Sequence, residues 1–445
     1  MTDPSPGPRV LAVQPFIHDF AAYDFWARPL GLLSLVSLLE SLGCRTAYYD
    51  CLDAAGRAEK NRARMGRGAY AKTPITKPPG LSDVDRTYSR YGVPPERFAA
   101  DLAAMEPPDC VLVTCLMAYW YPGAAEAVRI LKQAFPDVPV LLGGVYPALW
   151  PDHAATLGAD HVVCSTRMED AVDAVARATG WSPPAGELPA FPRPAVPESP
   201  SPVFVPLLTS LGCPNRCAYC ASHRLQPETT RAKPAEVAEE ILHWRDKGVA
   251  DFAFYDDALL ADADNHLKEI LERVVAAGGG VRFHTPNALH VQWLSPGLAR
   301  LMARAGFHTV RLGLETAASR KGLDDKVAEG QFLRAAAALR EAGFGPDRAG
   351  AYLLAGLPGQ EDEELHDSIR AVAAEGLTPI CAWYSPIPGT GLWEAARRSS
   401  RYDLAADPIF TNNAVLPCSK KPFDWSRITG LKEFIQSART ARKRT

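Results

Sequence analysis

The sequence predicts an α/β protein in two parts: a Rossmann-like, doubly wound parallel sheet, then a partial (β/α)6 barrel of the TIM-like kind. Three observations predict it. Short apolar runs alternate with helix-like segments through residues 1–181 and again through 203–400, and such alternation builds parallel sheets. Between them, Ser182 to Pro206 holds nine prolines in 25 residues, the composition of a semi-rigid, extended linker. The second run contains six strand–helix units whose strands all end in polar residues or glycine. A chain of 445 residues exceeds one typical core and suits two domains. The expected boundaries are 1–181, a linker over 182–202, a second unit over 203–400 and a C-terminal extension over 401–445.

In the first unit, Arg9 to Gln14 is an apolar strand. A long loop, Pro15 to Pro29, leads to a helix over Leu30–Leu42 that Gly43 ends as a C′ glycine. Arg45 to Asp50 is the second strand. After an insertion come a helix over Glu96–Met105, a strand over Asp109–Cys115, a helix over Pro122–Phe135 and a strand over Val138–Leu142 that runs into Gly143-Gly144. His161–Cys164 and Met168–Thr179 complete the alternation. Ligands of such sheets sit beyond the strands' carboxyl ends, which here means the loops Pro15–Pro29, Leu116–Pro122 and Gly143–Pro151. Pro15 to Trp26 is rich in aromatic residues; it either folds over a planar ligand or packs between domains. The insertion 57–90 carries nine Lys and Arg against three acidic residues. Its base reading is a solvated charged loop, its sharper one a lid that grips an anionic substrate.

In the second unit, strands are expected over Val203–Thr209, Asp251–Tyr255, Val281–Thr285, His308–Glu315, Ala349–Leu354 and Thr378–Tyr384. The helices between them cover Pro234–Lys247, Asp264–Ala277, Ser295–Ala305, Lys326–Ala342 and Glu361–Ala374. Active residues of barrels lie at strand carboxyl ends. Those ends read Asp256-Asp257 after strand two, Thr285-Pro-Asn287 after three, Gly313-Leu-Glu315 at four, Gly356-Leu-Pro-Gly-Gln360 after five and Ser385-Pro-Ile-Pro-Gly-Thr390 after six. Singly, each is explained by caps and turns. All six facing one mouth are not. A last helix is expected over Ser426–Lys443.

Cys213, Cys217 and Cys220 follow strand one in a C-x3-C-x2-C array. Three thiolates on one loop can hold three irons of a [4Fe–4S] cluster, and with no fourth cysteine in the array the last iron is open to an outside ligand. Zinc would want four closing ligands, with His223 the nearby candidate. A disulfide cannot pair three neighbours, and nothing suggests secretion.

This array, with Tyr219 before its last cysteine, resembles the signature of the radical S-adenosylmethionine (SAM) superfamily, and the likeness extends over about 203–400. The resemblance implies that the amino and carboxylate groups of SAM chelate the open iron and that reduction releases a 5′-deoxyadenosyl radical. It places Asp256 and Asp257 where the family contacts the SAM amino group or substrate, Glu315 at the ribose, and Gly356 and Ser385 near adenine. The family's G-G-E motif after strand two is absent in that form. Pro29-Leu-Gly-Leu32, with Gly31, and Gly143-Gly144 resemble the cobalamin-binding domain attached to one class of these enzymes. The D-x-H-x-x-G motif of cobalt-ligating domains is missing, and His18, His153 and His161 do not replace it. A Rossmann-like domain without cofactor is the alternative.

Composition sets the remaining limits. With 47% hydrophobic and 22% charged residues the chain reads as globular, and a net charge of -3 gives no reason to expect nucleic acid or an anionic membrane as partner. The N-terminus lacks the features of a signal peptide, and the apolar segment Leu30–Leu42 is too short to span a bilayer. Scattered cysteines, Cys381 and Cys418 among them, fit a reducing cytoplasm. The resemblance then implies cobalamin-dependent methylation of an unactivated carbon of a small molecule, with flavodoxin or ferredoxin as electron donor. A radical rearrangement without cobalamin is the runner-up, and a non-catalytic iron–sulfur protein the distant one.

Overall fold

A computed structural model of the chain describes residues 7–52, 65–189, 191–198, 202–317 and 330–441. Residues 57–64 of the basic insertion and the start of the helix expected over Lys326–Ala342 lie outside them. The chain forms two compact units, one of residues 1–82, 86–202 and 405–411, the other of 83–85, 203–404 and 412–445.

The first unit is built on β1 (Arg9–Gln14), β2 (Arg45–Asp50), β3 (Cys110–Thr114), β4 (Val140–Gly143) and β5 (His161–Val162). They pair in parallel in the order β5-β4-β3-β1-β2. Successive side chains point to opposite faces, so Leu11, Val13, Val111 and Val113 pack under the helices Pro95–Ala103 and Tyr121–Ala134. Val10, Ala12 and Leu112 pack under Leu30–Ser41 and Met168–Thr179. Cover on both faces is why these strands are apolar runs rather than alternating ones. The turn after β4 depends on Gly144. Its φ is +101°, and a Cβ there would stand 2.8 Å from Thr114 Oγ1 and 2.9 Å from the Cys115 carbonyl oxygen.

Two segments differ from expectation. Within the aromatic loop, Ile17–Asp19 and Tyr23–Asp24 pair antiparallel with Ser89–Tyr91 and Gly68–Ala69 of the insertion. The described part of the insertion is therefore folded structure rather than a solvated loop. Leu81, Tyr88 and Tyr91 are buried, and Arg90 pairs with Glu126 at 3.2 Å. Asp19 accepts the Trp120 indole N–H at 2.7 Å. The proline-rich stretch is also less of a free spacer than its composition suggests. Leu188 and Ala195 pack onto the first unit's core, and the Ala195 N–H reaches the Leu33 carbonyl at 3.1 Å.

The second unit carries β6 (Phe204–Leu207), β7 (Asp251–Phe254), β8 (Arg282–His284), β9 (Phe307–Glu315), β10 (Ala349–Ala355) and β11 (Thr378–Trp383). They pair in parallel and in chain order. Helices fill the connections, one of them Pro296–Ala305, where Ser295 Oγ accepts the Leu298 N–H at 3.2 Å as an N-cap should. No ladder among the described residues joins β6 to β11, so the barrel is partial and open between them. One addition was not expected: Leu289–His290, beyond β8, pairs with Leu312–Gly313 of β9. The final helix, Trp425–Ala441, lies on Asp362–Ala374, with the Phe434 ring stacked 4.0 Å from His366.

Candidate active site

The cysteine loop leaves β6 through Ser210–Leu211, which pairs antiparallel with Thr230–Arg231. That ladder pins the base of the loop, and the Cys220 N–H donates to the Cys217 carbonyl at 3.1 Å. Cys213, Cys217 and Cys220 are all partly exposed, and no disulfide joins them. Tyr219 is half-buried between the last two. The Cys213 sulfur lies 3.9 Å from His290 Nε2. Cys220 is held from both sides of Ser222, whose backbone N–H reaches its sulfur at 3.4 Å and whose hydroxyl oxygen lies 3.3 Å away.

The loop beyond β11 grips the other side of this array. The Leu392 N–H donates to the Ala218 carbonyl at 2.9 Å, and Arg224 Nη1 donates to the Pro388 carbonyl at 2.7 Å. Gly391 allows the approach: a Cβ there would stand 3.1 Å from Ala218 Cβ. The two edge strands, with no ladder between them, are thus tied at their carboxyl ends by the segment that holds the cysteines.

Asp256 lies two residues beyond β7 and is 2% exposed. Its Oδ1 accepts three hydrogen bonds, from the Thr209 N–H at 3.1 Å, the Thr209 hydroxyl at 2.7 Å and the Ser210 hydroxyl at 2.6 Å. Its Oδ2 is buried with no hydrogen-bond partner. Burial raises this carboxyl to about 6, against hydrogen bonds that lower it. Since the Thr209 hydroxyl proton goes to Asp256, His266 Nε2, 3.1 Å from that oxygen, must be the donor. Burial holds His266 below its usual range, which favours the neutral ring. Asp257 keeps an exposed surface, yet the loops around it desolvate its carboxyl and raise it, while a hydrogen bond from Ser222 works the other way. Asn287, after β8, closes the group by donating to the Tyr255 carbonyl at 2.8 Å.

Glu315, the last residue of β9, is buried at a φ of +64°. Left-handed backbone at a buried, non-glycine residue is uncommon and concentrates at functional sites. Here it coincides with a register shift in the β9–β10 pairing between Gly313 and Glu315. Gly356, after β10, has a φ of +78°, which favours glycine, and a Cβ there would meet the Trp383 ring at a contact distance of 3.4 Å. Its N–H donates to Gln360 Oε1 at 2.7 Å. Ser385 is half-buried two residues beyond β11.

The structure therefore links Asp256, with Asp257 next to it in the chain, to the start of the cysteine loop through Thr209 and Ser210, ties Cys220 to Ser222, and sets Glu315, Gly356 and Ser385 at the ends of the following strands. Sequence reading passed over Thr209, Ser210, Ser222, His266 and His290. Thr209-Ser210 had a local signal, two hydroxyls between an apolar strand and the cysteines. His266 had none, because its contact is with a residue 57 positions away.

In the first unit, Pro29 precedes the helix Leu30–Ser41. Gly31 faces open space and Gly143 has only Val163 Cβ near it, at 3.7 Å. Gly144 is needed by the chain's own packing. A cluster that the sequence did not reveal stands beside it: the Tyr146 hydroxyl and His153 Nδ1 are 2.6 Å apart, Tyr121 stacks on Tyr146, and the Tyr121 hydroxyl donates to Asp407 at 3.0 Å.

Two family models match this chain: the radical SAM superfamily over residues 207–372 and the B12 binding domain over 82–176. The chain carries a radical SAM domain and a B12-binding domain. The uncharacterized methyltransferase PH0819 of Pyrococcus horikoshii is 28% identical to it over 201 residues, which cover 43% of this chain and 42% of that protein. Among solved structures, TsrM of Kitasatospora setae, a radical SAM methyltransferase with tryptophan and a SAM analogue bound, matches at a TM-score of 0.63. That match is 16% identical and covers 88% of this chain and 76% of that one. TsrM with cobalamin and a [4Fe–4S] cluster bound gives the same score and identity, with 79% of that chain covered. At this identity the likeness shows the fold.

A radical SAM domain implies a [4Fe–4S] cluster and SAM, and a B12-binding domain implies cobalamin. The residues present fit them. The loop offers three accessible thiols, the ligands iron–sulfur clusters take. The orphaned Oδ2 of Asp256 calls for a cationic or hydrogen-bond-donating partner. In the first unit, the open faces of Gly31 and Gly143 and the buried, unpartnered hydroxyl of Ser34 suit an elongated polar ligand at the strands' carboxyl ends. No helix among the described residues is long and apolar enough to cross a membrane.

Proposed function

We propose that this radical SAM protein transfers a methyl group, with cobalamin as carrier, to an unactivated carbon of a small molecule. The observation that carries the reading is the presence in one chain of a cysteine loop fixed at a barrel mouth and a B12-binding sheet with open glycines at its own mouth. The cluster with SAM would supply the radical that takes hydrogen from carbon, and cobalamin the methyl group. The chain's own residues bind and orient. Cys213, Cys217 and Cys220 hold the cluster. Asp256 receives the SAM ammonium on Oδ2 while Thr209 and Ser210 fix its other oxygen. Glu315, turned by its left-handed backbone, takes hydroxyl groups of the ribose. Gly356 leaves the face of Trp383 open beside the adenine, and Ser385 borders the same pocket. Electrons come from a flavodoxin- or ferredoxin-type donor.

The missing D-x-H-x-x-G histidine favours one second reading, a radical rearrangement that leaves the B12-binding domain without cofactor. Two measurements decide. Anaerobically reconstituted protein treated with dithionite should release 5′-deoxyadenosine from SAM, and Cys217→Ala should release none. Protein produced with cobalamin supplied should keep a corrinoid spectrum after desalting. A cluster that never cleaves SAM overturns both readings, and a colourless desalted protein overturns the first.

A further inference from the structure

His290 is buried, at 7% exposed, and its Nε2 stands 3.9 Å from the Cys213 sulfur. Its place is fixed by the fold. Leu289–His290 pairs with Leu312–Gly313 of β9, the neighbours Leu289 and Val291 are buried, and the Trp293 ring lies 4.8 Å from the imidazole. The short strand that sequence reading did not foresee thus carries a polar ring to the first cysteine of the array. Burying such a ring is costly unless it meets a partner, and an apolar side chain would fill the same space without that cost. A cluster-ligating cysteine is a thiolate, with no hydrogen to give and lone pairs to accept one. With the cluster bound, the contact is therefore Nε2–H to sulfur, and a hydrogen bond to an ionised acceptor is stronger than a neutral one.

We propose that His290 is a positioning residue of the cluster, whose Nε2–H on Cys213 raises the cluster's reduction potential. This rests on the cluster that the proposed function assigns to the three cysteines. Reduction adds one electron from the external donor and makes the cluster more negative; no covalent bond forms or breaks. A hydrogen bond to ligand sulfur stabilises that more negative state more than the oxidised one. A higher midpoint lets a flavodoxin- or ferredoxin-type donor hold a larger fraction of the cluster reduced. The imidazole acts as donor only, so His290 is not an iron ligand.

The test is a mediated potential titration of the reconstituted full chain, followed by electron paramagnetic resonance. His290→Leu removes the donor and should shift the equilibrium severalfold toward the oxidised cluster; tenfold corresponds to a midpoint lower by about 59 mV for one electron. His290→Gln places an amide N–H where Nε2–H stood and should keep most of the wild-type midpoint. Both variants should bind iron as wild type does. Wild type grown on histidine labelled with the heavy nitrogen isotope should show a weak nitrogen coupling in the pulsed spectrum of the reduced cluster, and His290→Gln should lack it. An unchanged midpoint in His290→Leu, a midpoint as low in His290→Gln as in His290→Leu, a coupling as strong as a directly bound nitrogen gives, or no coupling at all overturns the role of His290 and leaves the proposed function standing. If His290→Leu does not fold, the labelled wild type decides by itself. Wild type that never assembles a four-iron cluster overturns instead the reading on which the proposal rests.

Discussion

Asp256 shows how one residue can be costly to the fold and yet suited to the proposed site. All its hydrogen bonds go to Oδ1, and Oδ2 is buried with nothing opposite it. A carboxyl raised to about 6 binds more protons folded than unfolded between about pH 4 and 6, so its charge weighs on stability above that window and not below it. A rise of that size corresponds to roughly 3 kcal/mol. Asp256→Asn should therefore stabilise the ligand-free protein in urea melts at pH 8 by up to that amount, with a smaller gain at pH 5. The same variant should bind SAM at least tenfold more weakly at pH 8 by equilibrium dialysis. A variant less stable than wild type at pH 8 would mean that the charge is already compensated. Glu315 is costly in a different way, through its left-handed backbone, and neither residue type nor spacing announced that conformation. Sequence reading chose it for its place at a strand end, whereas the left-handed φ that aims it follows from the register shift against β10.

At the scale of elements, strands and helices were readable because their burial is simple: apolar runs for sheets covered on both faces, glycine or proline at the ends. The joints between elements were not, since they depend on partners far apart in sequence. The aromatic loop and the basic insertion each read as loops without regular structure, and pairing between positions far apart in sequence makes strands of parts of both. The clamp of the β11 loop on the cysteine array is the functional example. Gly391→Val would push a branched side chain into Ala218, 3.1 Å from the position of its Cβ. It should lower iron bound per chain after reconstitution severalfold, with far-ultraviolet circular dichroism unchanged; full iron loading would show that the clamp is dispensable. A second cross-strand network joins β7, β8 and β9. Asp251 accepts from His284 Nε2 at 3.0 Å and from Arg282 at 2.6 Å, and His284 Nδ1 meets Thr309 Oγ1 at 3.0 Å. Burial alone would raise Asp251, but the bonds from His284 and Arg282 outweigh it and hold the carboxyl low. Its contribution is present above about pH 4 and lost as pH falls through the lowered value. Asp251→Asn should destabilise by roughly 3 kcal/mol at pH 7, and urea midpoints of the two proteins should converge in acid.

At the scale of the whole chain, two cores were legible from the two alternating runs and the proline stretch. The exchanges at 83–85 and 405–411 were not, because no local pattern marks a segment that folds with a distant one. Residue 407 shows the consequence: Asp407 receives the Tyr121 hydroxyl across 286 positions. Each unit has its own buried core and its own set of strand ends, which bears on how the two cofactors depend on each other. The thiols proposed to hold the cluster belong to residues 203–404, whereas Gly31, Ser34 and Gly143 belong to the other unit. Loss of the cluster should therefore leave corrinoid binding intact. Full-length Cys217→Ala, produced with cobalamin supplied and desalted, should retain corrinoid at the wild-type ratio while releasing no 5′-deoxyadenosine from SAM. Conversely, Ser34→Leu fills the only hydroxyl of that helix buried without a partner; it should lower the retained corrinoid severalfold and leave iron content unchanged. If Cys217→Ala loses corrinoid in step with iron, the two sites are coupled, and cofactor loading is a property of the assembled protein rather than of either unit.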